Sequence, residues 1–586
     1  MTTEVLVPAP NQYGRMAIML VAFVLLFGVL VHRLHHLQVA ESAVLTARAE
    51  AIGRARLEIP AARGSIVDAH GEPLARVVPS WHLFADAGYM DDKLKATVYL
   101  SRILDLSRDE LRRRLDSNGN GLRIARHISD EQAAAIEALG IDHMYLRRAY
   151  ERQYPLATSA ALVTGFLNAE EHGGGGLELV LDQHLRGQPG HKPIRRDARN
   201  RIVIDRHGDR IDARPGAHVQ VTIESDLQQL LHDRLSTALE HHQARGAYGV
   251  MIRPTTGEIV ALASLPCFDP HQAAEDFARD PDLFRNGVVQ FAYESGSTIK
   301  PLIAGAVVSD GLFDWETRID CERGRWTARV GRSPRVITSS HPYGLLSVAE
   351  GVAKSDNILM AKMVLRMPAE RLHDWVAHAG FGAVTGIDLP GEEPGRLTTR
   401  NRWTQLHTAV SVAMGYEILV TPLQMALAHG AIANRGVWMP PRLINRIYTI
   451  DSESGRQVDL PVPAAPRRRQ LFKADEALRV QAVMARTMTE GTGRRAQLTG
   501  YTSAGKTGTT RKFVDGAYSS SHHIGSFVAW APADPDREPE LLCLVVIDEP
   551  QANGYYGSQT AAPVVQQVLQ EGLERLGVPQ RGGGDD

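Results

Sequence analysis

Three short motifs in the second half of the chain contain residue types that together perform acyl transfer. The first pairs a serine with a lysine three positions later, Ser297 and Lys300. The second is a Ser-Asp-Asn triplet at residues 355–357, and the third is a Lys-Thr-Gly-Thr run at residues 506–509. A serine hydroxyl becomes a nucleophile when an adjacent base takes its proton, and an uncharged lysine amine can be that base. The motifs therefore predict a catalytic serine whose surroundings come from three separate segments.

The serine and the lysine of the first motif must lie on one face of a helix to interact. Ser297 precedes an apolar stretch with Pro301 four positions on. This predicts a helix that begins near Ser297, because proline is tolerated in a first turn. Lys300 then lies one turn further along the same face. An ordinary lysine has a pKa of about 10.4, so burial and a second cation must make this amine neutral. Lys506 is the expected second cation.

Each motif alone is a weak indicator, and a second Ser-x-x-Lys match occurs at residues 503–506. We assign the nucleophile to Ser297 because Lys506 is needed in the third motif. There, Gly505 and Gly508 suit a strand edge that approaches a ligand closely. A lone Ser-Asp-Asn triplet is more often a turn or a helix cap than a catalytic element. The joint occurrence in one order, with 58 and 151 residues between the leading residues of the motifs, is what favours catalysis.

Composition excludes several other classes of function. The chain has 65 Lys and Arg against 67 Asp and Glu, a formal net charge of -2, which gives no electrostatic basis for a nucleic-acid partner. Only nine of the basic residues are lysines, so a lysine inside a motif carries more weight. The three cysteines are widely spaced and odd in number, which indicates neither a disulfide framework nor a zinc site. We predict no metal and no cofactor.

An uncharged apolar run near the N-terminus covers residues 16–31. Extension to residue 37 gives 22 residues, a helix of about 33 Å that crosses a hydrocarbon core of about 30 Å if Arg33 reaches the interface. We therefore predict a transmembrane helix at 16–37. A cleaved secretory signal is the alternative, since the small residues Ala40, Ser42 and Ala43 follow, and a buried core helix is the third. Arg15 and Arg33 flank the run on opposite sides, so charge does not fix its orientation.

The remainder of the chain divides at about residue 217. Before that point the pattern is mixed, with polar helical segments at Lys93–Leu104 and Asp130–Leu139 and a glycine cluster at 173–176. After it, alternation in His218–Ile223 predicts a strand. Further predicted elements are a helix at 226–241, strands at 248–252, 258–263, 525–530 and 541–547, and a helix at 561–576. Strands at both ends of a helical middle indicate an α+β domain.

With these motifs in place, nearly the whole chain resembles the class B penicillin-binding proteins. The trio itself is typical of penicillin-binding proteins and class A β-lactamases. Further segments similar to the family in the second domain are Thr256-Gly-Glu258, Ala263-Ser-x-Pro266, Arg285-Asn286, Glu294-x-Gly-Ser-Thr-x-Lys-Pro301, Thr421-Pro-Leu-Gln424, Glu490-Gly-Thr-Gly493 and Ala504-Gly-Lys-Thr-Gly-Thr509. In the N-terminal part they are Arg33-Leu-x-x-Leu-Gln-Val39, Arg63-Gly-Ser-Ile-Val-Asp68 with Gly71, Arg152-x-Tyr-Pro155 and Gly176-Leu-Glu178. Two positions depart from the usual pattern: Ser295 stands where the family has proline, and Asp356 stands where it has a small residue.

The resemblance implies an α+β penicillin-binding transpeptidase fold, an antiparallel sheet with helices on both faces plus a helical lobe. An extended mixed pedestal domain of the dimerisation type and one N-terminal transmembrane helix are expected before it. The expected boundaries are a cytoplasmic tail at 1–15, the transmembrane helix at 16–37, the pedestal at 38–216, the transpeptidase domain at 217–577 and a disordered tail at 578–586.

The resemblance also implies a role for each motif residue. Ser297 is expected to be acylated by the penultimate D-alanine of a peptidoglycan stem peptide, with Lys300 as its base. Ser355 is expected to relay a proton to the leaving amine, and Asn357 to orient Lys300 and the substrate amide. The backbone N–H groups of Ser297 and Thr509 are expected to form the oxyanion hole. Substrate binding is expected at four residues of the third motif: Lys506, which would pair with the terminal carboxylate, Thr507, Gly508 and Thr509.

The expected partners and location follow from the same resemblance. They are D-Ala-D-Ala donor and amine acceptor stem peptides, β-lactams that mimic the donor, a SEDS-type glycan polymerase and other divisome proteins. The chain is expected to be single-pass in the cytoplasmic membrane with its N-terminus inside and the catalytic domain outside. The segment Tyr555-Tyr-Gly557 followed by Ala562-Pro563 is more similar to the division-specific (FtsI-like) branch than to the elongation-specific branch, which is the alternative.

Two other functions use the same fold. A β-lactamase has the same serine chemistry but no use for a membrane anchor and a pedestal. A non-catalytic β-lactam sensor or scaffold is the second alternative, but only about 15 residues precede the apolar run and every motif residue is intact. These observations favour a D,D-transpeptidase, with D,D-carboxypeptidase activity as a side reaction.

Overall fold

The computed structural model describes residues 10–45, 54–117, 119–196, 202–204, 209–330, 333–451 and 453–581. The chain divides into two compact units, one within residues 1–61 and 188–214 and the other within 62–187 and 215–586. The predicted boundaries between the tail, the pedestal and the transpeptidase domain stay predictions. Most of the predicted cytoplasmic tail and residues 582–586 of the predicted disordered tail lie outside the described residues.

The first unit contains the N-terminal helix Pro10–His35, which continues as a wider π-type turn at His36–Ala40. Its apolar side chains are exposed throughout, with none of the span buried inside the protein. Among the described residues it is the one helix long and apolar enough to cross a membrane. The alternative of a buried core helix is therefore wrong, whereas the alternative of a secretory signal stays open. The unit also has a three-stranded antiparallel sheet of Arg54–Ile59, Gly190–Arg196 and Ile202–Ile204, with the second strand in the middle.

In the second unit, the part before residue 188 is built on two long antiparallel strands, Pro73–Ala85 and Met144–Gln153. Its helices are Lys93–Ile103, Arg108–Asp116, Asp130–Ala138, Ala161–Thr164, Gly176–Val180 and Asp182–Leu185. The two predicted polar helices are confirmed, and the second begins at Ser129, whose side chain forms a capping box with Gln132.

One sheet of seven strands joins this part to later segments. Its order is Gln457–Leu460, Ile444–Ile450, His218–Val221, Ile66–Val67, Pro73–Ala85 and Leu122–Ile128, with Met144–Gln153 also paired to Pro73–Ala85. The predicted strand at 218 is confirmed. It pairs in parallel with Ile66–Val67 and antiparallel with Ile444–Ile450, so partners far apart in the sequence hold it from both sides.

The site is built on a five-stranded antiparallel sheet. Its strands are β1 (Gly246–Ile252), β2 (Ile259–Leu265), β3 (Ala504–Val514), β4 (Ala517–Ala531) and β5 (Leu541–Asp548). Their spatial order is β2-β1-β5-β4-β3, which leaves β3 at an edge. The four strands predicted here are confirmed as β1, β2, β4 and β5.

Helices cover both faces of this sheet. Successive strand residues point to opposite faces: Val545 of β5 belongs to the same hydrophobic cluster as Leu227 and Val565, whereas its neighbour Leu544 belongs to the other cluster, with Met425. The first pair of helices is Ser225–His242 and Gly557–Arg575, and we call the second the C-terminal helix. Opposite them lie Ala474–Thr489 and the fully buried helix Pro422–Ala433, which we call the central helix. The predicted fold, an antiparallel sheet between helices, is confirmed.

The remaining elements form the helical lobe between β2 and β3. Its helices are Ala273–Arg279, Gly287–Gln290, Lys300–Ser309, Val348–Ala353, Asn357–Val364, Ala369–His378 and Val410–Ala413. Its short antiparallel strand pairs are Tyr293–Glu294 with Leu419–Val420, Arg318–Asp320 with Leu345–Ser347, Arg325–Val330 with Ser333–Thr338, and Val437–Trp438 with Arg469–Gln470.

Candidate active site

Ser297 lies where the lobe meets the edge of the sheet. It is half-buried on a 3₁₀ turn, Gly296–Ile299, which leads directly into the helix Lys300–Ser309, here called the serine helix. The prediction of a helix that opens at this serine is confirmed, with the difference that its first turn is the tighter 3₁₀ form. Pro301 occupies the first helical turn, where a missing N–H is tolerated.

Two glycines let the turn pack closely against β3. A Cβ at Gly508 would lie 2.9 Å from the carbonyl oxygen of Ser295, and a Cβ at Gly296 would lie 2.6 Å from Cγ2 of Thr510. Gly296 also has a positive φ of 55°, a conformation that favours glycine. The predicted edge strand is confirmed, whereas its close approach to a ligand stays a prediction. The approach of β3 to the turn sets the third motif beside Ser297.

Lys300 points inward and has no exposed surface. Its Nζ contacts the carbonyl oxygen of Ser355 at 2.7 Å, Oδ1 of Asn357 at 2.7 Å and Oγ of Ser355 at 3.3 Å. Burial lowers the pKa of Lys300 to about 7, against the opposing effect of the Asp356 carboxylate. An uncharged amine, the form needed in a base, is therefore well populated at neutral pH.

Lys506 approaches the same hydroxyl from β3. Its Nζ lies 3.1 Å from Oγ of Ser355 and 3.1 Å from the carbonyl oxygen of Thr507, and it too is fully buried. Burial and the positive charge of Lys300 lower the pKa of Lys506 well below its usual range. We call Lys300 and Lys506 the lysine pair. Since two ammonium groups would share one hydroxyl here, the pair resists carrying two charges at once.

Ser355 meets both lysines because its backbone adopts an unusual conformation. Its φ is 62°, which is rare for a residue with a side chain and is found where neighbouring structure enforces it. This turn aims its carbonyl and its hydroxyl in the same general direction, toward the lysine pair. The next residue, Asp356, caps the helix Asn357–Val364 through a 2.8 Å bond from Leu359 N to its Oδ1.

Asn357 is held from two sides. Its Nδ2 donates to the carbonyl of Thr338 at 2.9 Å, and its backbone N–H donates to Oγ of Ser339 at 2.9 Å. These bonds leave Oδ1 facing Lys300. Sequence reasoning missed Thr338 and Ser339, because no local pattern connects that strand with residues almost twenty positions away.

The two threonines of the third motif lie on β3 with their hydroxyls engaged. Oγ1 of Thr507 is 2.7 Å from Oγ1 of Thr492, and the backbone N–H of Gly557 donates to Oγ1 of Thr509 at 3.0 Å. The latter bond satisfies the first N–H of the C-terminal helix, which begins at residue 557, four residues before the predicted start. Because β3 is an edge strand, every second backbone N–H points away from the sheet. Within the described residues, no group of three or more His, Cys, Asp or Glu side chains is arranged to hold a metal ion.

The structure thus brings all three predicted motifs to one place, around Ser297 and the lysine pair. The competing match fails as a nucleophile arrangement, because Ser503 and Lys506 lie in or next to an extended strand rather than on a helix face. The catalytic role of each residue stays a prediction.

Comparison with known proteins identifies relatives along nearly the whole chain. The family model "Penicillin binding protein transpeptidase domain" matches residues 247–570, and the model "Penicillin-binding Protein dimerisation domain" matches residues 58–221. The probable peptidoglycan D,D-transpeptidase PenA of Neisseria meningitidis is 30% identical over 571 residues, 96% of this chain and 93% of the relative. The peptidoglycan D,D-transpeptidase FtsI of Escherichia coli is 27% identical over 565 residues, 95% of this chain and 90% of the relative. Penicillin-binding protein 3 of Mycobacterium tuberculosis, in a crystal structure with aztreonam, has a TM-score of 0.68 at 25% identity and covers 89% of this chain and 98% of that chain.

The transpeptidase model alone spans more than half of the chain, and the dimerisation model accounts for most of the part before it. The relatives match from end to end, which agrees with the fold described above. The chain therefore belongs to the class B penicillin-binding proteins, the family of peptidoglycan D,D-transpeptidases in which a dimerisation domain precedes the transpeptidase domain.

Proposed function

We propose that this class B penicillin-binding protein cross-links peptidoglycan through an acyl-enzyme on Ser297. The observation that carries the proposal is the convergence of both lysine Nζ atoms on the Ser355 hydroxyl, beside the turn that presents Ser297. A buried, partly neutral amine next to a nucleophile is what serine activation requires. The relatives named above, which are peptidoglycan D,D-transpeptidases, support the same reaction class.

In the acylation step, Oγ of Ser297 attacks the carbonyl carbon of the penultimate D-alanine. Neutral Lys300 takes the hydroxyl proton as the C–O bond forms. Its two short contacts, to Ser355 O and Asn357 Oδ1, take up the two N–H groups of the neutral amine, whose lone pair then accepts the proton of Ser297. The backbone N–H groups of Ser297 and Thr509 stabilise the negative charge on the tetrahedral oxygen.

Collapse of that intermediate breaks the peptide C–N bond and releases the terminal D-alanine. The leaving nitrogen takes a proton from the Ser355 hydroxyl, which lies between Lys300 and Lys506. Lys300 passes the proton that it took from Ser297 to the Ser355 oxygen, so that its amine is neutral again. Lys506 gives positive field at the end of the site where the terminal carboxylate binds, and Thr507, Gly508 and Thr509 line that end of β3. Asn357 orients both the substrate amide and the amine of Lys300.

The acyl-enzyme ester is then resolved by an amine from a second stem peptide. The amine attacks the ester carbonyl and loses a proton to Lys300. Lys300 returns that proton to Oγ of Ser297 as the ester C–O bond breaks, so that Ser297 leaves as the hydroxyl. Water in place of the amine would give the D,D-carboxypeptidase side reaction. A β-lactam would acylate Ser297 in the same way and leave it blocked.

We further propose a septal role, with the chain anchored once in the cytoplasmic membrane, N-terminus inside, and paired with a SEDS-type glycan polymerase and other divisome proteins. The Tyr555–Gly557 and Ala562–Pro563 segments and the similarity to FtsI support division over elongation. A fluorescent fusion at mid-cell during constriction is the expected result. Lateral localisation would favour the elongation-specific alternative.

The central test is labelling with a fluorescent penicillin, followed by intact-mass measurement. The wild type is expected to gain one acyl group, and Ser297→Ala is expected to gain none. Ser503→Ala is the matched control, since it removes the serine of the competing Ser-x-x-Lys match and should label normally. Labelling that survives Ser297→Ala would show that another residue is the nucleophile.

A further inference from the structure

A buried histidine lies directly behind the turn that carries Ser297. His429 belongs to the central helix and has no exposed surface. Its Nε2 is 2.9 Å from the carbonyl oxygen of Thr298. A carbonyl only accepts, so Nε2 carries the proton and donates, and Nδ1 is unprotonated. His429 belongs to none of the three motifs.

Thr298 follows the nucleophile directly, so its carbonyl is a fixed point for the backbone of Ser297. The first turn of the serine helix lacks one backbone hydrogen bond, because Pro301 has no N–H to donate to the carbonyl of Ser297. That carbonyl accepts instead from the backbone N–H of Lys300, and Oγ1 of Thr298 donates to Ser295 O at 2.7 Å. These bonds stay within the turn itself. The bond from His429 ties the turn to a different element, the central helix.

The imidazole supplies this bond without adding a charge. The imidazole ring of His429 lies 6.5 Å, centroid to centroid, from the ring of Trp530 on β4, and Lys506 of β3 is near enough to act on its pKa. Its Nδ1 is buried and has no hydrogen-bond partner among the described residues. Burial lowers the pKa of His429 to about 4, against the effect of the bond to Thr298 and with the help of Lys506. A lysine or arginine donor here would place another buried cation beside the lysine pair, whereas neutral imidazole does not.

We propose that His429 is a positioning residue for the acylation step: its Nε2–H holds the carbonyl of Thr298 and so fixes the turn that presents Ser297 to Lys300. This rests on the proposed function, in which Ser297 is the nucleophile. His429 touches neither substrate nor the reacting atoms. Its effect is on the acylation rate constant, not on the noncovalent affinity for a β-lactam.

The test measures acylation of the full-length protein by a fluorescent penicillin over a range of concentrations. This separates the noncovalent dissociation constant from the acylation rate constant. His429→Leu removes the donor at similar volume and is expected to lower the rate constant about three- to tenfold, the worth of one hydrogen bond, with the dissociation constant unchanged. His429→Gln places an amide N–H near the position of Nε2 and is expected to restore the rate constant to within about twofold of wild type.

The control is Gln228→Leu, which removes a buried amide that donates to the carbonyls of Ser159 and Leu262 and accepts from the N–H of Leu262. It should lower the melting temperature and leave the acylation rate constant unchanged. If His429→Leu does not fold, His429→Met, a flexible side chain of similar volume, takes its place with the same expected result. Wild-type rates in the apolar variant, no rescue by Gln, or an equal loss in Gln228→Leu would each overturn the positioning role. A wild type that is not acylated at all would instead overturn the proposed function, and that is seen before any variant is made.

Discussion

Two clusters of buried basic side chains in the second unit differ in whether carboxylates pair with them. In what we call the arginine cluster, Arg63 and Arg152 each place Nε within 2.7 Å of a different oxygen of Glu178, which has no exposed surface. Asp182 adds a second carboxylate, 2.7 Å from Nη1 of Arg63. Two positive charges are thus matched by two negative charges in direct contact.

The lysine pair has no such compensation. Within the described residues, no ion pair joins Lys300 or Lys506 to a carboxylate, and the contacts of both are neutral oxygens. Asp356 is near enough to affect the pKa of Lys300, but its Oδ1 is engaged in capping a helix. Burial then lowers the pKa of both lysines instead of fixing them as cations.

The difference separates a stabilising role from a chemical one. Arginine stays charged at any working pH and presents a planar fork that matches carboxylates, so its pairing with Glu178 holds three segments of the pedestal together. Lysine loses its proton when buried, which is useful where a proton must be moved. A change in the lysine pair should therefore alter chemistry, and a change in the arginine cluster should alter stability.

The largest expected effect is on chemistry, in Lys300→Met. The variant loses the base that activates Ser297, so acylation by a fluorescent penicillin is expected to fall by about 10²- to 10⁴-fold. The melting temperature should not fall, because the change removes a buried ionisable amine that lacks a carboxylate partner and leaves an apolar side chain of similar length. Lys362→Met is the control, since that lysine is bound to Glu322 and to the carbonyl of Asp320, neither of which belongs to the three motifs. Acylation at the wild-type rate in Lys300→Met would mean that Lys506 or another group is the base.

The second prediction concerns stability and uses Glu178→Gln. The neutral amide leaves Arg63 and Arg152 as buried charges with only Asp182 to balance them, and such a loss costs about 3–5 kcal/mol. Differential scanning fluorimetry should show a clear drop in melting temperature, whereas the acylation rate of the folded protein should be unchanged. Glu110→Gln is the control: that residue is a half-exposed partner of Arg114, and its loss should cost less than about 0.5 kcal/mol. If the Glu178→Gln protein melted at the wild-type temperature, the arginine cluster would not have the stabilising role that distinguishes it from the lysine pair.

The sequence alone predicts the lysine pair better than it predicts the arginine cluster. Ser297, Lys300 and Lys506 are recognisable because their chemistry demands particular residue types in a particular order. The segments around Arg63, Arg152 and Glu178 could be related to the family, but nothing in their spacing shows that the three side chains meet, since they are brought together only by the folded pedestal. Local periodicity does not encode contacts across 115 residues.

The same limit applies within the site and the sheets. Helix and strand periodicity predicted β1, β2, β4 and β5, but not the pairing of His218–Val221 with strands on either side of it in the sequence. The positive φ of Ser355 was also not predictable, because serine does not favour that conformation and the surrounding fold enforces it. The bond from Asn357 Nδ2 to the carbonyl of Thr338 was not predictable either, because it depends on how the strand Ser333–Thr338 packs against the helix that begins at Asn357.

The smallest expected effect comes from Asp356→Asn, which changes the carboxylate that raises the pKa of Lys300. Lys300 must be neutral to act as a base, so the wild-type acylation rate should fall about tenfold per pH unit below its pKa of about 7 and reach a plateau above it. The Asp356 carboxylate favours the ammonium form and so raises this pKa; asparagine removes that effect, and the midpoint of the profile should move to lower pH. Asparagine caps helices as well as aspartate does, so Oδ1 still accepts from Leu359 N and the plateau rate should be kept. A plateau that collapses would assign Asp356 to the geometry of the site. A midpoint that stays in place or moves to higher pH would show that the Asp356 carboxylate does not raise the pKa of Lys300.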